Sequence, residues 1–457
     1  MTAVQRPVVT SARPSRVNQA SVADTLRIGA TVLVPTVARG VLARRPRIVR
    51  LAEAIDADRR AGDLLQRMRS RYGPGPLLLR LPGRRLALVL SPGDVERVLT
   101  GSPEPFSPAN LEKRSALSQF QPHGVLISDA AKRPDRRRFN EAVLDTSAPV
   151  HRYGEAITAK VREEAELLRE EIGRTGELDW DTFRVAWWRV IRRVVLGDAA
   201  RDDSEISDLL TRLRMSANWA YAMPRRRILR HRFQHRLRHY LDLAEPGSLA
   251  ELVARAPSTS GTEPADQVPQ WLFAFEPAGM AAYRALALLA THPDQARKAR
   301  EEVDGRDLEQ PQDLPYLRAC VQESVRLWPT TLALLRETTA ETAWDGTRMP
   351  AGTALLVHTP FLQRDDRTLP YADTFAPWIW LDGTARRSWS DIPFSGGPVE
   401  CPGRNLVLLT TGLFLAMLIQ RHEYRLASGQ PLTYAQPLPR TLGPFGLRFQ
   451  VRPRSTA

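Results

Sequence analysis

Apolar positions recur with a helical period over much of this 457-residue chain. Between residues 47 and 71, Leu51, Ile55, Leu64, Leu65 and Met68 share the spacing of one helix face. Similar spacing predicts amphipathic helices over 150–175, 178–196, 204–219 and 314–327. A long apolar run predicts another over 406–419. Strand signals are short. Residues 77–81 and 86–90 flank Pro82-Gly83 and read as a hairpin, and 355–360, 424–426 and 441–451 read as further strands. Ser91 before Pro92 starts a short helix ending near Leu99. Residues 1–24 are aperiodic and are expected to form a flexible tail, with one folded domain over 25–457. Residues 101–126, rich in Ser, Pro and Gln, are expected as loop.

Composition narrows the picture a little. Apolar content of 43% suits a globular fold. Two cysteines, Cys320 and Cys401, leave no disulfide framework and point to a reducing compartment. Net charge is +14, mostly from arginine. The most basic stretch, 225–243, has Ile228, Phe233, Leu237 and Leu241, which do not interleave with its arginines as a base-stacking platform would. A solvated face is therefore expected there, and nucleic acid is not expected as a partner. The run 28–42 is broken by Pro35, Arg39 and Gly40, so no transmembrane anchor is expected and a cytoplasmic location is inferred.

The chemistry concentrates in Pro393-Phe394-Ser395-Gly396-Gly397-Pro398-Val399-Glu400-Cys401-Pro402-Gly403-Arg404. Glycines beside a cysteine let backbone approach a bulky, flat partner. A helix starting just after Cys401 offers amide donors to a thiolate. The loop resembles the heme-binding loop of the cytochrome P-450 family, F-x-x-G-x-x-x-C-x-G, filled here by Phe394, Gly397, Cys401 and Gly403. The resemblance implies that Cys401 is the axial ligand of heme iron. It also shows departures: Ser395 where glycine is common, and Val399 where the family has a propionate-binding His or Arg.

Other segments fall in the family's order. Arg133 and Arg137 stand at the spacing of its His-x-x-x-Arg, which holds a heme propionate, with Arg136 and Arg138 expected in solvent. Residues 269–291, ending before His292-Pro293, resemble the long central helix. That register puts Glu276 at the acid of the acid–alcohol proton relay and Pro277 at the alcohol. Proline brings no hydroxyl and no amide hydrogen, and should kink the helix. Phe273, Ala274 and Ala278 are expected to line the substrate pocket, together with 101–126 and 219–223. Glu323 and Arg326 match the buried E-x-x-R brace. The arginine that usually completes it is replaced by Ile379, leaving Arg386 or Arg387 as candidates. Arg336 matches a second propionate cation.

The resemblance implies a mainly α fold with a small β region, as a single P-450-like domain carrying heme b. It implies a monomeric, soluble, bacterial-type monooxygenase of secondary metabolism. A small organic substrate and electrons from a ferredoxin and its reductase go with it. Pro277 opens a second reading, a heme-thiolate enzyme using peroxide or performing a cyclisation or rearrangement. A third, from another class, is a basic nucleic-acid- or heme-binding protein without catalysis.

Overall fold

A computed structural model of the chain describes residues 18–220, 223–344, 347–428 and 432–454. Most of the expected tail, 1–17, lies outside the described residues, as do Tyr221 and Ala222 of the expected pocket wall. The first helix, Val22–Ile28, begins inside the segment expected as tail, because Ser21 caps it by accepting from the Asp24 amide.

Helices dominate. The central one, Val268–Thr291, runs through the core and continues through Pro277. The helix after the cysteine, Arg404–Arg421, is buried along its whole length from Leu406 to Ile419. The two pack on each other and on helices Gly154–Thr175, Trp180–Leu196 and Pro315–Leu327. A helix apolar on every side is stable only in such a place. By length and composition alone Pro264–Thr291 could cross a membrane, although no transmembrane anchor is expected from the sequence. Its window is 78% buried by the rest of the fold, which makes it a core helix.

The β structure is small. One sheet has the order Leu77–Leu78, Leu86–Val89, Ala354–His358, Ala333–Thr338, Phe106–Ser107. The expected hairpin is there in register Leu77 to Leu88, with shorter strands. Glu177–Asp179, Arg448–Pro453 and His422–Leu426 form a second sheet. Ser91 caps helix Pro92–Thr100 as its sequence suggests. Residues 101–126 are not all loop: Asn110 caps a helix over Leu111–Leu117.

Candidate active site

The cysteine loop is closed by its own backbone. The Cys401 amide donates to the Phe394 carbonyl at 3.0 Å, and Glu400 donates to Gly397 at 3.0 Å. Gly397 has φ +67°, and a Cβ there would lie 2.3 Å from the Leu99 carbonyl oxygen. No L side chain fits that crossing, so Gly397 fixes the loop against helix Pro92–Thr100. Gly403 is different: a Cβ there meets only Leu144, at 3.8 Å. Its amide matters more, since it donates to the Cys401 sulfur at the start of the following helix. Burial pushes the thiol up, while the Gly403 amide and the Arg137 guanidinium favour the thiolate. Cys401 keeps accessible surface; Cys320 is buried in the core as expected.

Beside this loop sit cations without anions. Arg133 is buried and donates to the Val125 carbonyl at 2.8 Å. Arg336, on its strand, reaches Ser102 Oγ at 3.0 Å and Ser395 Oγ of the cysteine loop at 3.2 Å. Lys113 Nζ donates to the carbonyl of Leu335, next to Arg336, at 2.9 Å. Among the described residues, none of the three makes an ion pair. Burial, then Arg133, lowers Arg336 to about 9; burial, then Arg137, lowers Arg133 to about 10. Lys113 is held well below its ordinary value by burial, then by Arg336 and Arg133. Glu112, the nearest acid, is clasped by Arg84. Arg137 is engaged otherwise, donating to Glu141 at 2.5 Å and to the Glu400 carbonyl at 2.7 Å, so it braces the cysteine loop. Arg136 is not solvated as expected: it is buried and paired with Glu263.

On the central helix, Phe273, Ala274, Glu276 and Pro277 retain accessible surface, whereas Ala278 is buried. Ala278 thus lies on the packed side, where Gly279 admits the Trp187 ring and Trp187 Nε1 donates to the Phe275 carbonyl at 2.8 Å. Phe273 meets Phe120 edge-on at 6.0 Å. Glu276 is ion-paired to Arg214 of helix Ser204–Ala217, and that guanidinium also lies 4.6 Å from the Phe273 ring centroid.

Behind the loop, Glu323 and Arg326 are fully buried and bidentate, at 2.6 and 2.8 Å. Arg326 also donates to the carbonyls of Gln363, Ala372, Tyr371 and Thr374. Glu323 accepts from the Ala376 amide at 2.8 Å and from Trp380 Nε1 at 3.0 Å. The further donor is therefore Trp380, beside Ile379. Neither Arg386 nor Arg387 supplies it: both are exposed, and Arg387 bonds Thr384.

The family model "Cytochrome P450" matches residues 274–442, from the central helix through the cysteine loop. The whole fold is similar to that of the retinoic acid bound cyanobacterial CYP120A1, with a TM-score of 0.69 over 85% of this chain and 94% of that one, at 20% identity. Residues 274–442 thus match the cytochrome P450 family, and the fold as a whole is similar to that of a P450. Curated P450 relatives match over a limited stretch. A probable mitochondrial cytochrome P450 12c1 of Drosophila melanogaster is 34% identical over 31% of each chain. The cyclooctat-9-en-7-ol 5-monooxygenase of Streptomyces melanosporofaciens is 30% identical over 36% of this chain and 38% of its own. The matched stretches span about a third of these relatives' length.

P450s bind heme b, and this chain's residues fit that group. No cluster of three or more His, Cys, Asp or Glu among the described residues could hold a bare ion. A single thiol suits iron whose other ligands come from a macrocycle. The unpaired Arg133 and Arg336, both buried, and the half-buried Lys113 suit its propionates, because a buried charge without a partner is costly. Lys113 was not legible as a site residue, since nothing in its local sequence marks it, and Trp380 stands next to the replaced arginine at Ile379 without its bond to Glu323 being readable. Asn110 as a helix cap was the one signal that would have placed Lys113 on a helix beside the site.

Proposed function

We propose that this chain is a heme-thiolate monooxygenase that oxidises a small organic substrate. The observation that carries the reading is Cys401 in its closed loop, flanked by two buried arginines and a half-buried lysine that make no ion pair among the described residues. Thiolate-ligated heme, when bound, supplies oxygen activation. The chain's own part is to anchor the propionates, hold the sulfur ionised, exclude water and deliver protons. At residue 277 there is no hydroxyl, so the proton route passes through the Glu276 carboxylate or water. Arg214 pairs with that carboxylate.

Electrons would come from an acidic ferredoxin and its reductase, which the net charge of +14 favours. A place in bacterial secondary metabolism is in keeping with the Streptomyces relative, and a monomeric cytoplasmic enzyme goes with that reading. The test is an absorption spectrum of the reduced protein with carbon monoxide. A strongly red-shifted band that is absent in Cys401→Ser supports the assignment; a colourless protein after heme supplementation sinks it.

A second reading, peroxide as oxidant, is favoured by one observation. The relay alcohol is missing, and an arginine, Arg214, reaches its acid neighbour from another helix. Turnover with peroxide against turnover with ferredoxin and NADPH separates the two.

A further inference from the structure

One turn beyond Pro277, Met280 borders a cavity of about 40 Å³, and Arg284, one turn further, forms part of its wall. Space of that size holds about three waters, or one small head group. Four arginines line it, Arg39, Arg44, Arg284 and Arg440, against one carboxylate, Asp58. Two of the four are neutralised. Arg39 clasps Asp58 through two bonds of 2.7 Å, and Arg440 pairs with Asp366 and Asp373 at 2.7 and 3.1 Å.

The other two are in contact with no carboxylate. Arg44 donates only to carbonyls, those of Gly40 at 2.9 Å and Thr330 at 2.5 Å. Arg284 is buried and likewise donates to Met280 at 3.1 Å and Leu442 at 3.2 Å. Among the described residues, neither has an ion-pair partner. Carbonyls satisfy N–H groups but leave the charge in place. Three carboxylates act on them from beyond ion-pair contact: Asp58, paired with Arg39, and Glu276, paired with Arg214, act on Arg44, and Glu53, which accepts from the Gly443 amide, acts on Arg284. Burial lowers Arg284 to about 9, with Arg44 adding to the effect. The remaining wall is mostly apolar, with Trp328, Leu332 and Phe445 beside Met280, and includes Thr330 and Thr441.

We propose that this cavity binds the carboxylate end of an organic acid, with Arg44 and Arg284 as its counter-charges and the acid's apolar chain directed along the central helix toward Pro277. Two free guanidinium groups within apolar walls match a carboxylate on a hydrocarbon better than a free inorganic anion. That this acid is the enzyme's substrate rests on the monooxygenase reading; the binding itself does not.

The experiment uses the full-length heme-loaded protein with hexanoate, octanoate and decanoate and their amides, at fixed ionic strength. Melting temperature and heme absorbance are both read. The acids are expected to act at about tenfold lower concentration than the amides. Arg284→Gln should erase that preference and Arg284→Lys restore part of it. Arg44→Gln carries the same expectation should Arg284→Gln not fold. Equal potency of acids and amides overturns the proposal, as does a preference surviving in both glutamine variants. Stabilisation by chloride or acetate equal to that by decanoate overturns the organic-acid assignment. A missing carbon monoxide band defeats the monooxygenase reading alone, because melting still reports on the cavity.

Discussion

Glu323 shows how one residue can depend on partners that local sequence does not reveal. Its carboxylate is fully buried and takes two bonds from Arg326, one from the Ala376 amide and one from Trp380. Removing its charge leaves Arg326 buried and uncompensated. Glu323→Gln is expected to cost about 3–5 kcal/mol in chemical denaturation. Trp380→Phe, which removes one donor, should cost about 1–2 kcal/mol. Lys113 behaves oppositely. In the protein without heme it is a half-buried, desolvated charge beside two others. Lys113→Met should therefore leave the apoprotein as stable or more so, while heme transfer to a scavenger protein speeds up by about tenfold or more. Unchanged heme loss would remove Lys113 from the site. Cys401, Arg336, Glu323 and Arg326 were readable because each sits in a fixed local spacing. Lys113, Trp380 and Arg214 were not, because their partners lie 222, 57 and 62 residues away in sequence.

At the scale of elements, periodicity located most helices. Ends and short pieces escaped it. Helix Leu111–Leu117 has too few apolar positions to show a period and owes its start to Asn110. The strand expected over 441–451 reduces to Arg448–Pro453, where pairing with both neighbours exists. Pro277 sits inside the central helix without a bond to Phe273. A proline in a helix interior costs about 3 kcal/mol relative to alanine. Pro277→Thr should therefore raise the melting temperature. Under the proposed function it should also raise the share of reducing equivalents reaching product and lower peroxide leakage. Unchanged leakage alongside a raised melting point would separate the structural effect of residue 277 from a role in proton delivery.

For the molecule as a whole, acid and base sensitivity come from different groups. Asp58, Asp365 and Asp373, paired with arginines, have lowered values and lose their contribution as pH falls. Asp391 pulls the other way. It is buried behind the cysteine loop, and Tyr371 donates to one of its oxygens at 2.7 Å while the other has no hydrogen bond. Burial raises its carboxyl to about 6 against an unfolded value of 3.8. Between those values the folded chain binds more protons than the unfolded one, so this group's contribution declines as pH rises and is flat above about 6. The full difference is of order 3 kcal/mol. Asparagine keeps an acceptor for Tyr371 and carries no charge. Asp391→Asn should thus match the parent near pH 4 and gain stability between pH 4 and 6. Above that it should hold the gain, in denaturant midpoints measured in parallel on both proteins. A gain that is constant across this range would show that the aspartate is charged in the folded state throughout, and that Arg326, not burial, governs it.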